Sequence, residues 1–168
     1  MKKLFLIIFI FLNTNNIFAD DNFLSIVEGN ENAKVKLIVY ESLTCSHCAN
    51  FHKDVYPELK KEFIDEGKIN IEFRNFPLDL AALNAAKIAH CKNDGASDIL
   101  HFLYSNQDTW IKGSNILEIN KNLEKLITNS EFNLDFENCI NNKKIEDYIL
   151  EERIDGFKQY EIEATPTL

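Results

Sequence analysis

The stretch Thr44-Cys45-Ser46-His47-Cys48 closes the apolar run Val35-Lys36-Leu37-Ile38-Val39-Tyr40. An apolar strand that stops and hands two cysteines, two residues apart, to the first turn of a helix is a device for thiol chemistry. Cys45 falls at the helix start, where unpaired backbone N–H groups and the helix dipole favour negative charge. A thiolate is stabilised there, and its pKa falls below the free value of about 8.5. His47, between the two sulfurs in sequence, pushes the same way when protonated. Cys48 comes one turn later and is expected to be the more buried thiol. Cys45 is therefore the candidate nucleophile, and Cys48 the thiol that resolves a mixed disulfide. A stabilised thiolate stabilises the reduced pair, so the expected direction is donation of a disulfide to substrates.

Outward from this stretch, residues 34–41 read as a strand whose centre is apolar on both faces, which suits a central position. From residue 46 to about 66 a helix is expected, with Phe51, Val55, Leu59 and Phe63 in steps of four, a kink at Pro57 and an end at Gly67. Ile69, Ile71 and Phe73 alternate with Asn70, Glu72 and Arg74, the pattern of a half-exposed edge strand. Strand, long helix, strand makes a βαβ unit with parallel strands. Residues 20–34 read as an irregular lead-in with a turn at Glu28-Gly29-Asn30. From 78 to 160 only helical patterns occur, and five helices are expected. Asn93-Asp94-Gly95 separates the first two, and Ser114 or Asn115 caps the third. Thr165-Pro166 then follows a helix and is read as a cis-proline loop, able to pair its backbone with an extended peptide.

At 168 residues the chain is one domain with an insertion, and 13 Phe support a packed core. The net charge of −9, with no basic run, argues against nucleic acid and anionic lipid as partners. Residues 1–19 read as a signal peptide: Met1-Lys2-Lys3, an apolar run from Leu4 to Leu12, and Ala19 as the cleavage residue. An uncleaved anchor is the alternative, because bulky Ile17 stands at the −3 position. Either way the domain is exported, into a compartment that permits disulfides.

Together these features resemble the DsbA-type thiol:disulfide oxidoreductases, and most nearly their short alpha-proteobacterial members. The likeness is carried by Cys45-Ser46-His47-Cys48-Ala49-Asn50, Phe51, His52 and Thr165-Pro166. It implies an α/β, thioredoxin-like fold with a helical insertion domain. The expected division is 20–77 for the N-terminal βαβ part, 78–160 for the insertion and 161–168 for the start of the cis-proline part. The C-terminal strands and helix of such a fold are missing from this chain, so a truncated product with an unpaired, apolar strand edge is expected. The resemblance further implies disulfide formation in exported proteins with free thiols, reoxidation by a DsbB-type membrane partner, a periplasmic location and no organic cofactor. By position, Cys45, Cys48 and His47 are catalytic, and Thr165 and Pro166 bind substrate. Where many relatives carry an acid, this chain has Val39. Glu41, two residues on, is read as a strand-end side chain, with proton acceptor for Cys48 as the alternative. Relatives usually have Pro where Ser46 stands.

Cys91 and Cys139 each fall on an apolar helical face, as buried free thiols or as a structural disulfide. Pairing them, with Cys45 to Cys48, is favoured among the three pairings that four cysteines allow. Two rival functions are a soft-metal module, zinc or copper, built on Cys45, Cys48, His47 and His52, and a non-catalytic remnant. His90 and His101 are expected to be structural.

Overall fold

The computed structural model describes residues 23–168, so the signal-peptide reading lies outside the described residues. Three strands form one sheet: β1 (Ile26–Gly29), β2 (Val35–Glu41) and β3 (Ile69–Asn75). Their order is β1-β3-β2. β2 runs parallel to β3, with Val39 opposite Phe73, and β1 runs antiparallel to β3, with Ile26 opposite the same phenylalanine.

Three expectations are corrected here. The lead-in contains a strand, β1, and its pairing makes β3, expected at an edge, the middle of the three strands and puts β2, expected in the centre, at the end of the order. The alternation in β3 is real, but its polar face is covered. Asn70 and Glu72 are buried. Glu72 accepts from Lys36 Nζ at 2.7 Å and from Arg74 Nε at 2.6 Å. Alternation reports which side chains share a face, and paired charges let that face be buried. Gly29 ends β1 with φ +96°, and a Cβ there would meet the Ile69 carbonyl at 2.9 Å; the turn runs from Asn30 to Ala33, whose N–H donates to Asn30 O at 2.9 Å, later than the expected Glu28-Gly29-Asn30. On its other side β2 is bridged at Tyr40, whose N–H donates to Thr167 O at 2.8 Å and whose carbonyl accepts from Thr167 N at 3.0 Å. The expected bare edge is thus partly paired.

The helix after β2 is wound unevenly. α1 (Ser46–Asn50) passes into a π-helical turn (Phe51–Val55), then α2 (Tyr56–Leu59), then a second π turn (Lys60–Ile64). Pro57 sits in the first turn of α2, where its missing N–H costs little. Each π turn adds a residue to the winding and rotates the buried face. Phe51, His52, Tyr56 and Ile64 are therefore buried, whereas Val55 and Phe63, expected inside, are exposed.

The insertion contains α3 (Leu80–Ala89), α4 (Asp98–Ser105), α5 (Gln107–Trp110), α6 (Ile116–Thr128), α7 (Phe136–Ile140) and α8 (Lys143–Tyr160). This is one helix more than expected; the addition is the single turn α5, too short to show a period. Asp79, Asn115, Asp135 and Asn142 cap α3, α6, α7 and α8 with their side chains. Trp110, Leu103, Leu123, Ile127, Ile145 and Ile149 form a fully buried centre, and the Trp110 indole N–H donates to Leu103 O at 2.9 Å. In the structure Cys91 and Cys139 are bonded, with Cα atoms 5.4 Å apart, tying the residues just after α3 to α7.

Candidate active site

The end of β2 is buried from Val39 through Leu43, and this places the following loop firmly. Cys45 N–H donates to Ser42 O at 2.9 Å, and Cys45 is the N-cap residue of α1 with extended backbone, φ −78° and ψ 120°. Thr44 Oγ1 donates to Asp79 Oδ2 at 2.8 Å, so the residue that caps α3 also steadies the dithiol loop. From α5, the buried Gln107 side chain donates to Leu43 O at 2.7 Å and to Cys45 O at 3.1 Å. The short helix missing from the sequence reading is thus the one that grips the loop.

Across the site lies the cis Thr165-Pro166 bond. The Cys45 thiol donates to Thr165 O at 3.3 Å. The Thr165 hydroxyl is buried without a hydrogen-bond partner of ordinary geometry. It lies near both sulfurs and favours the anion of each.

The two sulfurs differ in environment. Burial alone would raise the Cys45 pKa, but the Thr165 hydroxyl, the Cys48 backbone N–H and thiol, and the His47 N–H together bring it below the ordinary thiol value. Cys48 is wholly buried. Burial first, and then the negative charge of Glu41 and of Cys45, push its pKa up to about 12, against hydrogen bonds from Ser42 and Thr165. One thiol is prepared as an anion; the other holds its proton.

Behind Cys48 lies a chain of polar side chains. Glu41, read as a strand-end residue, is buried instead. Its Oε2 lies 2.7 Å from His52 Nε2, and its Oε1 is buried without a partner. His52 Nδ1 is 3.0 Å from His101 Nδ1, and His101 Nε2 is 2.6 Å from Glu28 Oε1. Tyr56 OH donates to Glu28 Oε2. Tyr104 stacks on the His52 ring with centroids 4.0 Å apart.

The structure brings together Cys45, Cys48, Thr165 and Pro166. It leaves the His47 side chain exposed, so that His47 reaches Cys45 through its backbone. The metal reading is not supported by the geometry. Both His52 nitrogens face Glu41 and His101 instead of the thiols, and no group of three metal-type ligands occurs among the described residues. Sequence reasoning missed Gln107 and the roles of Glu28 and His101. Within the polar chain, His52, four residues after Cys48, and Glu41, whose alternative reading is a proton acceptor, carry a signal in the sequence.

A family model described as thioredoxin matches residues 22–168. Among solved structures, alpha-DsbA1 of Wolbachia pipientis superposes with a TM-score of 0.76 at 34% identity, covering 84% of this chain and 72% of that one. The chain belongs to the thioredoxin family, among the DsbA-like thiol:disulfide oxidoreductases. A provisionally named protein-disulfide oxidoreductase of Rickettsia conorii is 35% identical over 131 residues, which is 76% of this chain and 45% of that protein. A provisionally named disulfide bond formation protein D of Bacillus cereus is 36% identical over 109 residues, 58% of this chain and 49% of that protein. The chain spans about half the length of the curated relatives it matches.

Proposed function

We propose that this protein catalyses thiol–disulfide exchange and donates its Cys45–Cys48 disulfide to exported proteins that carry free thiols. The observation that carries this reading is the placement of the two sulfurs at the start of α1, Cys45 as the N-cap residue 3.3 Å from the Thr165 carbonyl of the cis Thr165-Pro166 bond and Cys48 wholly buried behind it.

A substrate thiolate attacks Cys45 Sγ of the oxidised pair, and the bond to Cys48 breaks. Cys48 leaves as a thiolate and takes up a proton, which its buried setting strongly favours. A second substrate thiolate then attacks the substrate sulfur of the mixed disulfide, and Cys45 leaves as the stabilised anion. Two substrate thiols are oxidised and the dithiol is reduced. Because the better leaving group is the thiol of lower pKa, the arrangement releases product in the oxidised state. Thr165 and Pro166 face Cys45 and serve as the substrate-side wall, where an extended peptide can align with the backbone. His47 contributes its N–H to the Cys45 anion.

The expected setting is the periplasm, with a DsbB-type membrane protein as reoxidant. No helix among the described residues is long and apolar enough to cross a membrane. Residues 20–77, 78–160 and 161–168 serve as dithiol carrier, cover and substrate wall. The test is oxidation of a fluorogenic dithiol peptide by the preoxidised protein. Turnover by the wild type that is lost in Cys45→Ser supports the reading. No turnover by the wild type, or equal turnover by Cys45→Ser, refutes it and favours the remnant.

A further inference from the structure

The polar chain behind Cys48 is not needed to hold a helix to a sheet, since apolar residues of similar size would do so at lower cost. It links four elements: Glu28 on β1, Glu41 on β2, and His52 and His101 on the two helical segments that cover them. It starts at a buried, unpartnered oxygen of Glu41, a carboxylate whose charge acts on Cys48, and ends at Glu28, whose side chain is 15% exposed.

Three contacts, Glu41 to His52, His52 to His101 and His101 to Glu28, each need one proton. Two carboxylates and two neutral imidazoles bring only two protons, one per ring. If both were on Nε2, facing the carboxylates, the two Nδ1 lone pairs would oppose each other at 3.0 Å. All three contacts are met at once when one further proton is present, on the imidazole pair or on Glu41.

We propose that Glu41, His52, His101 and Glu28 form a proton relay that carries the Cys48 proton between the buried dithiol and the protein surface. It rests on the dithiol reading above. During reoxidation, Cys48–SH loses its proton to the free oxygen of Glu41 as its sulfur attacks Cys45 Sγ and expels the partner thiolate. The proton then passes through His52 and His101, whose ring nitrogens all lie in the chain, and leaves at Glu28. During substrate oxidation, the same chain returns a proton to the departing Cys48 thiolate. Protons balance in both directions, and electrons move only among sulfurs.

Other titratable groups face the chain. Cys48 faces Glu41 from α1, and Tyr104 lies over His52 from α4 with its hydroxyl toward Cys48. Tyr56 donates to Glu28 from α2. Ser97, just before α4, and Lys60 of the second π turn face Glu28, and Asp65 and Asp98 face Tyr56. Lys60 is held by Asp65, and Tyr56 and Tyr104 keep their protons. The Tyr104 hydroxyl lies near Cys48 but, keeping its own proton, does not take the one that Cys48 loses.

The test isolates ring closure by Cys48. The mixed disulfide of Cys45 with glutathione is prepared in acid and jumped to a chosen pH, and glutathione release is followed in wild type, Glu28→Gln and His101→Ala. Both substitutions are expected to slow closure about a hundredfold near neutrality. The pH at which Cys45 becomes reactive to iodoacetamide should stay unchanged. Added imidazole is expected to restore much of the rate in His101→Ala, because the His101 side chain is partly exposed. Closure within about twofold of wild type across the pH range, or slow closure without imidazole rescue, would overturn the relay. Failure of wild type and variants alike to release glutathione would instead refute the dithiol reading. If His101→Ala does not fold, wild-type protein with 15N-labelled histidine decides. One proton correlated to both Nδ1 nitrogens supports the relay, and its absence overturns it.

Discussion

Gln107 donates its side-chain N–H to the carbonyl of Leu43 at 2.7 Å, so a single-turn helix of the insertion holds the loop that presents the nucleophile. The same amide reaches Cys45 O, two residues on. Gln107→Leu keeps the volume and strands these carbonyls. The expected loss is about 1–3 kcal/mol of stability, read from the urea midpoint at constant slope. Turnover should fall further than stability predicts, because Cys45 loses its register against Thr165.

Removing the Thr165 hydroxyl tests what stabilises the Cys45 anion. Thr165→Val takes away a donor from both sulfurs. The midpoint of Cys45 alkylation against pH should rise, and the reduced form should lose stability relative to the oxidised one. Equilibration with glutathione buffers is then expected to show a weaker oxidant.

Stability should decline in two steps on acidification. His90 is buried, and its Nε2 accepts from Asn75 Nδ2 at 2.7 Å, a bond that only the neutral ring can make. Burial lowers its pKa from 6.5 to about 4, against a backbone hydrogen bond at Leu24. The unfolded chain thus takes up this proton first. The stabilising effect of His90 is complete above 6.5 and is lost as pH falls toward about 4. Glu28 follows. Burial raises its pKa, but hydrogen bonds from His101, Ser97 and Tyr56, and the charge of His101, bring it from 4.5 down to about 2. Its contribution is present above 4.5 and is lost on descent toward about 2. Denaturant midpoints against pH should show both limbs, with the upper one flattened in His90→Gln and the lower one in Glu28→Gln.

Reduction of the Cys91–Cys139 bond opens a loop with a sequence separation of 48 residues. The chain-entropy model gives a loss of about 4 kcal/mol. The double variant Cys91→Ala/Cys139→Ala should lower the urea midpoint accordingly while leaving Cys45 alkylation unchanged, because the bond lies among the insertion helices.

Much of this architecture was legible in short stretches. The β2–Cys45–Cys48 junction, the cap at Asn115 and the cis bond before Pro166 each depend on residues adjacent in sequence, and the parallel β2–β3 pair follows from the order strand, helix, strand. What escaped depends on long-range pairing. β1 is only four residues and gains its identity from β3. Glu72 reads as exposed unless Lys36 and Arg74 are known to meet it. Glu41 reads as a strand end until His52 and His101 close over it. Val55 and Phe63 fall on the buried face only of a helix of constant pitch, and here two π turns intervene.

That uneven winding also bears on transplantation. A segment comprising residues 46–64, moved onto a regular helical host, would relax to even pitch. Cys45 and Cys48 would remain neighbours, but Tyr56 and Ile64 would swing out of the face that His52 now shares with them. An engineered scaffold that borrows only the two sulfurs and their helix would inherit a dithiol without the buried surroundings that set the two thiols apart.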